Sequence, residues 1–257
     1  MLPFFLNMLG LNKSYQVKHF NLSNKRALII ATNHGILGTT GKKTGVYASE
    51  LTVPYYRFLD NKIVVDVASI KGGKIPIEPV SLKWPVITPS DKRFLLDDEL
   101  LKKTSNSASI KGLDFSKYDL VFIAGGWGAA YDLGYSKVLG EKLSKAYAKD
   151  VVLGSVCHGA LGFLLAKDKK GRLLIKGKRM TAVTDKQVKE LKILMTPQHP
   201  ERELRKAGAL FESESKFLDI FSSHVVIDDN LVTGQNQNDG AKVADSMMEI
   251  IIKRAKR

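Results

Sequence analysis

"VVLGSVCHGALGFLLA", residues 151–166, is the stretch on which this sequence turns. Val151 to Val156 is an apolar, β-branched run of the kind that forms a buried strand. Gly159 to Ala166 is rich in residues that lead into a helix. At the junction stand Cys157 and His158, and Cys157 is the only cysteine in 257 residues. A sharp strand-to-helix turn lifts its side chain to the carboxyl edge of a sheet, where ligands bind in open α/β folds. The amides of the following helix would favour the thiolate, the form that attacks electrophiles. Gly154 and Gly159 allow a crowded backbone around the turn. The plainer reading is a free cysteine serving as a small buried hydrophobe, and the adjacent imidazole and glycines weigh against it.

Elsewhere in the chain, "RALIIAT" (26–32), "KIVVDVASI" (62–70) and "YDLVFIAGG" (118–126) read as further strands. They are near-continuous apolar runs rather than alternating ones, which suits a parallel sheet covered on both faces. Between them lie helical stretches. Residues 45–61 place Val46, Leu51, Tyr55 and Leu59 at helical spacing, with Pro54 expected to kink or start a segment. Residues 135–150 place Leu139, Leu143, Ala146 and Tyr147 on one face. Strands alternating with helices predict right-handed βαβ units and a doubly wound sheet. Later, 171–184 reads as a hairpin, and 199–209 as a helix with Pro200 in its first turn and Gly208 as its stop. Residues 224–236 read as two short strands turning at Asp228–Asn230, followed by a terminal helix that buries Val243, Met247, Ile250 and Ile251. Residues 71–117 carry Pro76, Pro79, Pro85 and Pro89 and read as a loop-rich insertion over the sheet edge. The chain is read as one domain, 26–257, preceded by an apolar arm, 1–25.

Bulk composition narrows the classes. One thiol cannot form an internal disulfide, which suits a reducing, cytoplasmic setting. The formal net charge of +14 comes from basic residues that are scattered apart from "KDKKGR" (167–172), "KGKR" (176–179) and the terminal "KRAKR", and no zinc-finger spacing or aromatic-basic ribonucleoprotein motif accompanies it. A solvated basic surface is therefore favoured over a specific nucleic-acid partner. The arm "MLPFFLNMLGLNK" is apolar over a run of only about eleven residues, against the roughly twenty that a bilayer span needs. It lacks a basic n-region and a small-residue cleavage site. Packing on the domain is the expected role; weak membrane-surface association and the remnant of a longer precursor are the alternatives.

Two more pieces bear on Cys157. "AGGWGAAYDL" (124–133) also follows a strand and precedes a helix. Gly125, Gly126 and Gly128 would expose backbone N–H groups at the same edge, where they can hold an oxyanion as a thiolate adds to a carbonyl. Alone, it is an ordinary βα turn. Glu50 is a carboxylate in a mostly apolar helix. It either faces solvent or, near the thiol, acts as general acid or base.

"ASELTVPYY", "YDLVFIAGGWGAAYDL", "GSVCHGALGFLL", "GALFES" and "VVIDDNLVTGQN", in this order and spacing, resemble the ThiJ/PfpI superfamily, which shares its fold with class I glutamine amidotransferases. The long "GKKTGVYASEL" approach, the 71–117 insertion and the "LVTGQN" ending are similar to its branch of heat-shock chaperones that act as glyoxalase III. The resemblance implies a flavodoxin-like three-layer sandwich, with a mostly parallel sheet and helices on both faces. It implies Cys157 as nucleophile, His158 as its neighbour, Glu50 as the carboxylate that touches the thiol, and an oxyanion site from Gly126 and the His158 amide. It also implies conversion of methylglyoxal to lactate without glutathione, a lyase (hydro-lyase) reaction on a small dicarbonyl that needs no cofactor. Several such proteins are described as deglycases or holding chaperones, and relatives are commonly homodimers.

The sequence departs from the family in two places. Many relatives carry a His between the glycines where this chain has Trp127, so no metal site is carried over. The family's third triad member falls near Val188 in "MTAVTDKQVKEL". Asp185 and Glu190 are the nearest acids, and Asp185 is preferred. A chaperone with a vestigial site, or a cysteine amidase or peptidase, are the rival readings.

Overall fold

The computed structural model describes residues 16–193, 195–219 and 222–255. Nine short strands form its sheets among these residues: β1 Arg26–Ala31, β2 Val64–Ser69, β3 Ala108–Ser109, β4 Leu120–Ile123, β5 Val152–Val156, β6 Arg179–Met180, β7 Leu210–Phe211, β8 Val225–Asp228 and β9 Leu231–Gly234. Seven of them make the main sheet, in the order β3-β2-β1-β4-β5-β9-β8. All neighbours in it pair in parallel except β8 with β9. Reading only the long parallel strands, the order is second, first, third, fourth, fifth, the flavodoxin-like winding.

The continuous apolar strands are explained by burial on both sides. In β1, Ala27, Ile29 and Ala31 enter one hydrophobic cluster, while Leu28 and Ile30 enter the other. The first cluster lies under the helices Ala48–Asp60 and Gly240–Ala255. The second lies under Lys137–Ala148 and the segment after β5. This is the expected three-layer sandwich. Gly154 serves it directly, because a Cβ there would come within 2.2 Å of the Met247 Sδ on the terminal helix. Arg57 and Asp245 tie the two helices of the first face together. The Arg57 Nη2–Asp245 Oδ1 distance is 2.6 Å, and both groups are buried. Removing one partner of such a pair costs about 3–5 kcal/mol, because the other charge is stranded.

The terminal helix and the β8–β9 hairpin form as read, and the helix Pro200–Lys206 ends before Gly208, whose φ is +88°. Three local expectations change. The helix Ala48–Asp60 runs through Pro54 without ending, because Pro54 loses one bond to the Glu50 carbonyl while the rest of the helix stays packed. Residues 171–184 do not form a hairpin. Arg179–Met180 pairs instead in parallel with Leu210–Phe211, a partner some thirty residues away that local sequence cannot announce. Residues 71–117 contain more helix than their prolines suggest, with α-helical turns at Pro89–Phe94 and Asp98–Ser105 and the edge strand β3. Thr88 forms a capping box with Asp91, and Pro89 follows at the first helical position.

Of the apolar arm, residues 1–15 lie outside the described residues. Leu22 is buried, and its N–H donates to the Asn61 carbonyl at 3.0 Å. Among the described residues no helix is long and apolar enough to cross a membrane.

Candidate active site

β5 ends at Val156, and the chain turns at Cys157 with φ of +54°. A residue with a Cβ is uncommon in that region, and its presence marks a strained turn. The strain aims the thiol off the carboxyl edge of the sheet. The chain then continues in a run of tight 3-10 turns, Cys157–Phe163, rather than an α-helix. Its aligned dipole is accordingly shorter than the residue types suggest.

The sulfur is nonetheless surrounded by the expected groups. Glu50, Gly126 and His158 line the same cavity as the sulfur, and the His158 and Gly126 amides favour its anion. His158 Nδ1 lies 3.4 Å from the sulfur. Glu50 is held in place by the Gly125 N–H, which donates to Oε2 at 3.0 Å. Only glycine serves at 125, since a Cβ would stand 2.5 Å from that Oε2 and 2.8 Å from the His158 nitrogen. The turn after β4 thus brings Gly125 to Glu50 and Gly126 to the sulfur. It sits between β1 and β4, where the winding of the sheet reverses, the place where ligands bind in this architecture.

Electrostatics depart from the sequence reading. Burial pushes the Cys157 thiol well above its ordinary range, and the Glu50 charge adds to the effect; the His158 and Gly126 amides oppose it. Burial likewise raises Glu50 to about 8, against the hydrogen bonds from Cys157 and Gly125. Two acids sharing a dry site cannot both ionise. The resting thiol is therefore protonated, not held as thiolate by helix amides. Burial, helped by the nearby His199, lowers His158 to about 3, so its imidazole is neutral.

The site opens into a cavity of about 680 Å³ whose walls include Tyr47, Glu50, Gly126, Trp127, Cys157 and His158. Cys157 is therefore not sealed in packed hydrocarbon, although it is only 7% exposed. Trp127 stands edge-on to the His158 ring, with centroids 4.9 Å apart. It presents an apolar wall beside the imidazole. Among the described residues no three His, Cys, Asp or Glu side chains stand together as a metal-binding set. Tyr47 escaped the sequence reading. It stands at the N-cap position of the Glu50 helix, and burial first and Glu50 second push its phenol up, which keeps it a neutral donor. Its only signal was proximity to Glu50 in "GVYASE". Lys42 and Lys43, also unread, line the cavity.

Asp185 does not join the site. It opens the helix Asp185–Glu190, and its Oδ1 lies 3.7 Å from His199 Nδ1 while Oδ2 meets Arg202 at 3.5 Å. Glu190 accepts instead from the Asp219 N–H at 2.8 Å. Val188 is fully buried in the apolar cluster. His158 Nε2 is buried without a hydrogen-bond partner. Among the described residues, then, no carboxylate bonds this imidazole, and a Cys-His-acid triad is not assembled.

The chain is 26% identical over 238 residues to the glutathione-independent glyoxalase hsp3101 of Schizosaccharomyces pombe, covering 89% of this chain and 96% of that one. The Rapid Encystment Protein REP24 of Francisella tularensis superposes with a TM-score of 0.82 at 32% identity, over 88% of this chain and 98% of the other. Glyoxalase III of Candida albicans superposes with a TM-score of 0.76 at 26% identity, over 89% and 98%. Residues 42–250 match the DJ-1/PfpI family as a whole, a span that includes Glu50, both glycine turns and Cys157. This chain belongs to the DJ-1/PfpI family.

Proposed function

We propose that the chain is a glutathione-independent glyoxalase, converting a 2-oxoaldehyde such as methylglyoxal to the 2-hydroxy acid with Cys157 as nucleophile. The observation that carries this reading is one sulfur that lines a cavity together with Glu50, Gly126 and His158, with His158 Nδ1 at 3.4 Å and Glu50 held by the Gly125 N–H. The activities by which hsp3101 and the Candida enzyme are named support it.

The steps come from the groups present. Sγ bonds to the aldehyde carbon, and the thiol proton ends on the carbonyl oxygen, giving a hemithioacetal. The Gly126 and His158 amides stand where negative charge develops on that oxygen. Glu50, as carboxylate, removes the hydrogen of the former aldehyde carbon as a proton and returns it to the neighbouring carbon, while the hydroxyl proton of the hemithioacetal passes to the neighbouring carbonyl oxygen. The first carbon becomes a thioester, and the second becomes a carbinol. One is oxidised as the other is reduced, so no external oxidant enters. Water then adds to the thioester, and collapse expels the sulfur, which regains its proton. The net change is addition of one water to methylglyoxal to give lactic acid, a reaction classed with the lyases (hydro-lyases). His158, kept neutral by burial, orients the thiol and does not store charge.

A cysteine amidase or peptidase would need an acid to hold the imidazole, and His158 has none among the described residues. Purified protein incubated with methylglyoxal and no glutathione tests the reading by lactate release. A Cys157→Ala protein that makes lactate at the wild-type rate would end it. Protection of an aggregating client that Cys157→Ala leaves intact, with no dicarbonyl turnover, would select the holding chaperone instead. A single catalytic thiol suits a reducing, cytoplasmic setting.

A further inference from the structure

We propose that this site prefers 2-oxoaldehydes carrying a long or aromatic apolar substituent over methylglyoxal. The proposal rests on the glyoxalase reading and concerns the part of the substrate that does not react.

Size is the first argument. Methylglyoxal has five non-hydrogen atoms, whereas about 680 Å³ is room for a drug-sized ligand. The reacting head needs only the surroundings of Cys157 and Glu50. A methyl group would leave most of the remaining cavity to water.

The chemistry of the wall is the second. Beyond the reacting groups its apolar surface comes from residues that include Leu37, Val86, Val183, Leu191, Ile193 and Met195, with Lys42, Lys43 and Lys192 among the polar residues around them. Leu191 is 43% exposed and Met195 47%, so an apolar group lying on them removes hydrocarbon from water on both partners. Trp127 extends this surface up to His158.

The third argument is what three of the polar side chains of the wall, Glu78, Gln187 and Asn236, are already doing. Glu78 Oε2 accepts from the Thr44 hydroxyl at 2.7 Å. Gln187 donates from Nε2 to the Asp219 carbonyl at 2.8 Å and accepts at Oε1 from the Thr184 N–H at 2.9 Å. Asn236 donates to the Ser222 carbonyl and accepts at Oδ1 from the Asn238 N–H at 2.9 Å. These groups are committed to holding the protein together. A hydroxyl-rich substituent, such as a sugar chain, would therefore find no free partner in these three side chains and would depend on Lys42, Lys43 and Lys192 for new ones, and polar groups buried without partners cost affinity. An alkyl or aryl substituent gives up nothing of that kind.

The experiment is kcat/KM for a series of 2-oxoaldehydes, methylglyoxal, 2-oxohexanal, 2-oxooctanal and phenylglyoxal, measured on the full chain without glutathione. A rise of roughly fourfold per added methylene, the transfer free energy of that group, until the cavity fills, is the expected result. The double variant Leu191→Ser, Met195→Ser changes two half-exposed residues and is expected to flatten that rise. A flat or falling series, with methylglyoxal itself turned over, overturns the preference and leaves the glyoxalase reading standing. A rise that the double variant does not change overturns the assignment to this wall. No turnover of any member by folded protein removes the glyoxalase reading and this proposal together.

Discussion

The two flanks of Cys157 differ in how they were built. On one side, Glu50 and the Gly125–Gly126 turn come from the first and third long parallel strands' connections, hold each other by the Gly125 N–H and favour or oppose the charge on the sulfur. On the other, the segment from Val183 to His199 passes the site with Val188 packed as hydrocarbon and Asp185 turned to His199 and Arg202. The first flank supplies a proton-carrying group and amide donors. The second supplies apolar wall. A nucleophile elbow thus constrains its glycine turn and its carboxylate tightly, because these share a crowded space of a few ångströms. The support of the imidazole is free to vary, since burial alone keeps His158 neutral.

If the first flank carries the chemistry, Cys157→Ala removes it, with an expected loss in kcat/KM of at least about a thousandfold, read by lactate release. Glu50→Gln is next, with an expected loss on the order of 10²–10⁴-fold. The same variant should be more stable than wild type. Folding raises this carboxyl to about 8, so between pH 4.5 and 8 the folded state holds a proton that the unfolded state releases, and wild-type stability falls as pH rises through that window. Gln abolishes the slope, so the gain is absent near pH 4 and reaches about 2–4 kcal/mol at pH 7. Urea melts at the two pH values check this, and a loss of stability in Glu50→Gln would contradict a neutral resting carboxyl.

The pH profile probes the same flank. With Glu50 protonated below about 8, its base form grows as pH rises, and kcat/KM should climb to a midpoint near 8. A profile already flat from pH 6 would mean that the acting base is another group. The smallest effect is expected on the second flank. Asp185→Asn should leave kcat/KM within about twofold, because its half-exposed ion pairs contribute little. A hundredfold loss there would restore the triad and erase the contrast between the flanks.

Much was legible from residue order. The apolar runs announced strands buried on both faces, because only a sheet covered twice tolerates hydrocarbon at every position. Cys157, Glu50 and the glycines of 125–128 were readable as pieces, since few residue types fit a strained turn or the crowded space around it. What local sequence could not carry was distance. Periodicity left Glu50 either solvent-facing or at the site, and the packing of its helix on the sheet decided for the site. The parallel pairing of Arg179–Met180 with Leu210–Phe211 replaced an expected hairpin. Asp185, chosen for nearness in sequence, points elsewhere.

Residue type and spacing were enough to set the strand pattern, the place of the thiol at a strand end, and the family resemblance. The protonation of the site came from the folded arrangement and from nothing else. Whether a thiol, a carboxyl and an imidazole are charged depends on how much water reaches them and on which charges stand within a few ångströms. Those quantities exist only once the chain has closed around Cys157.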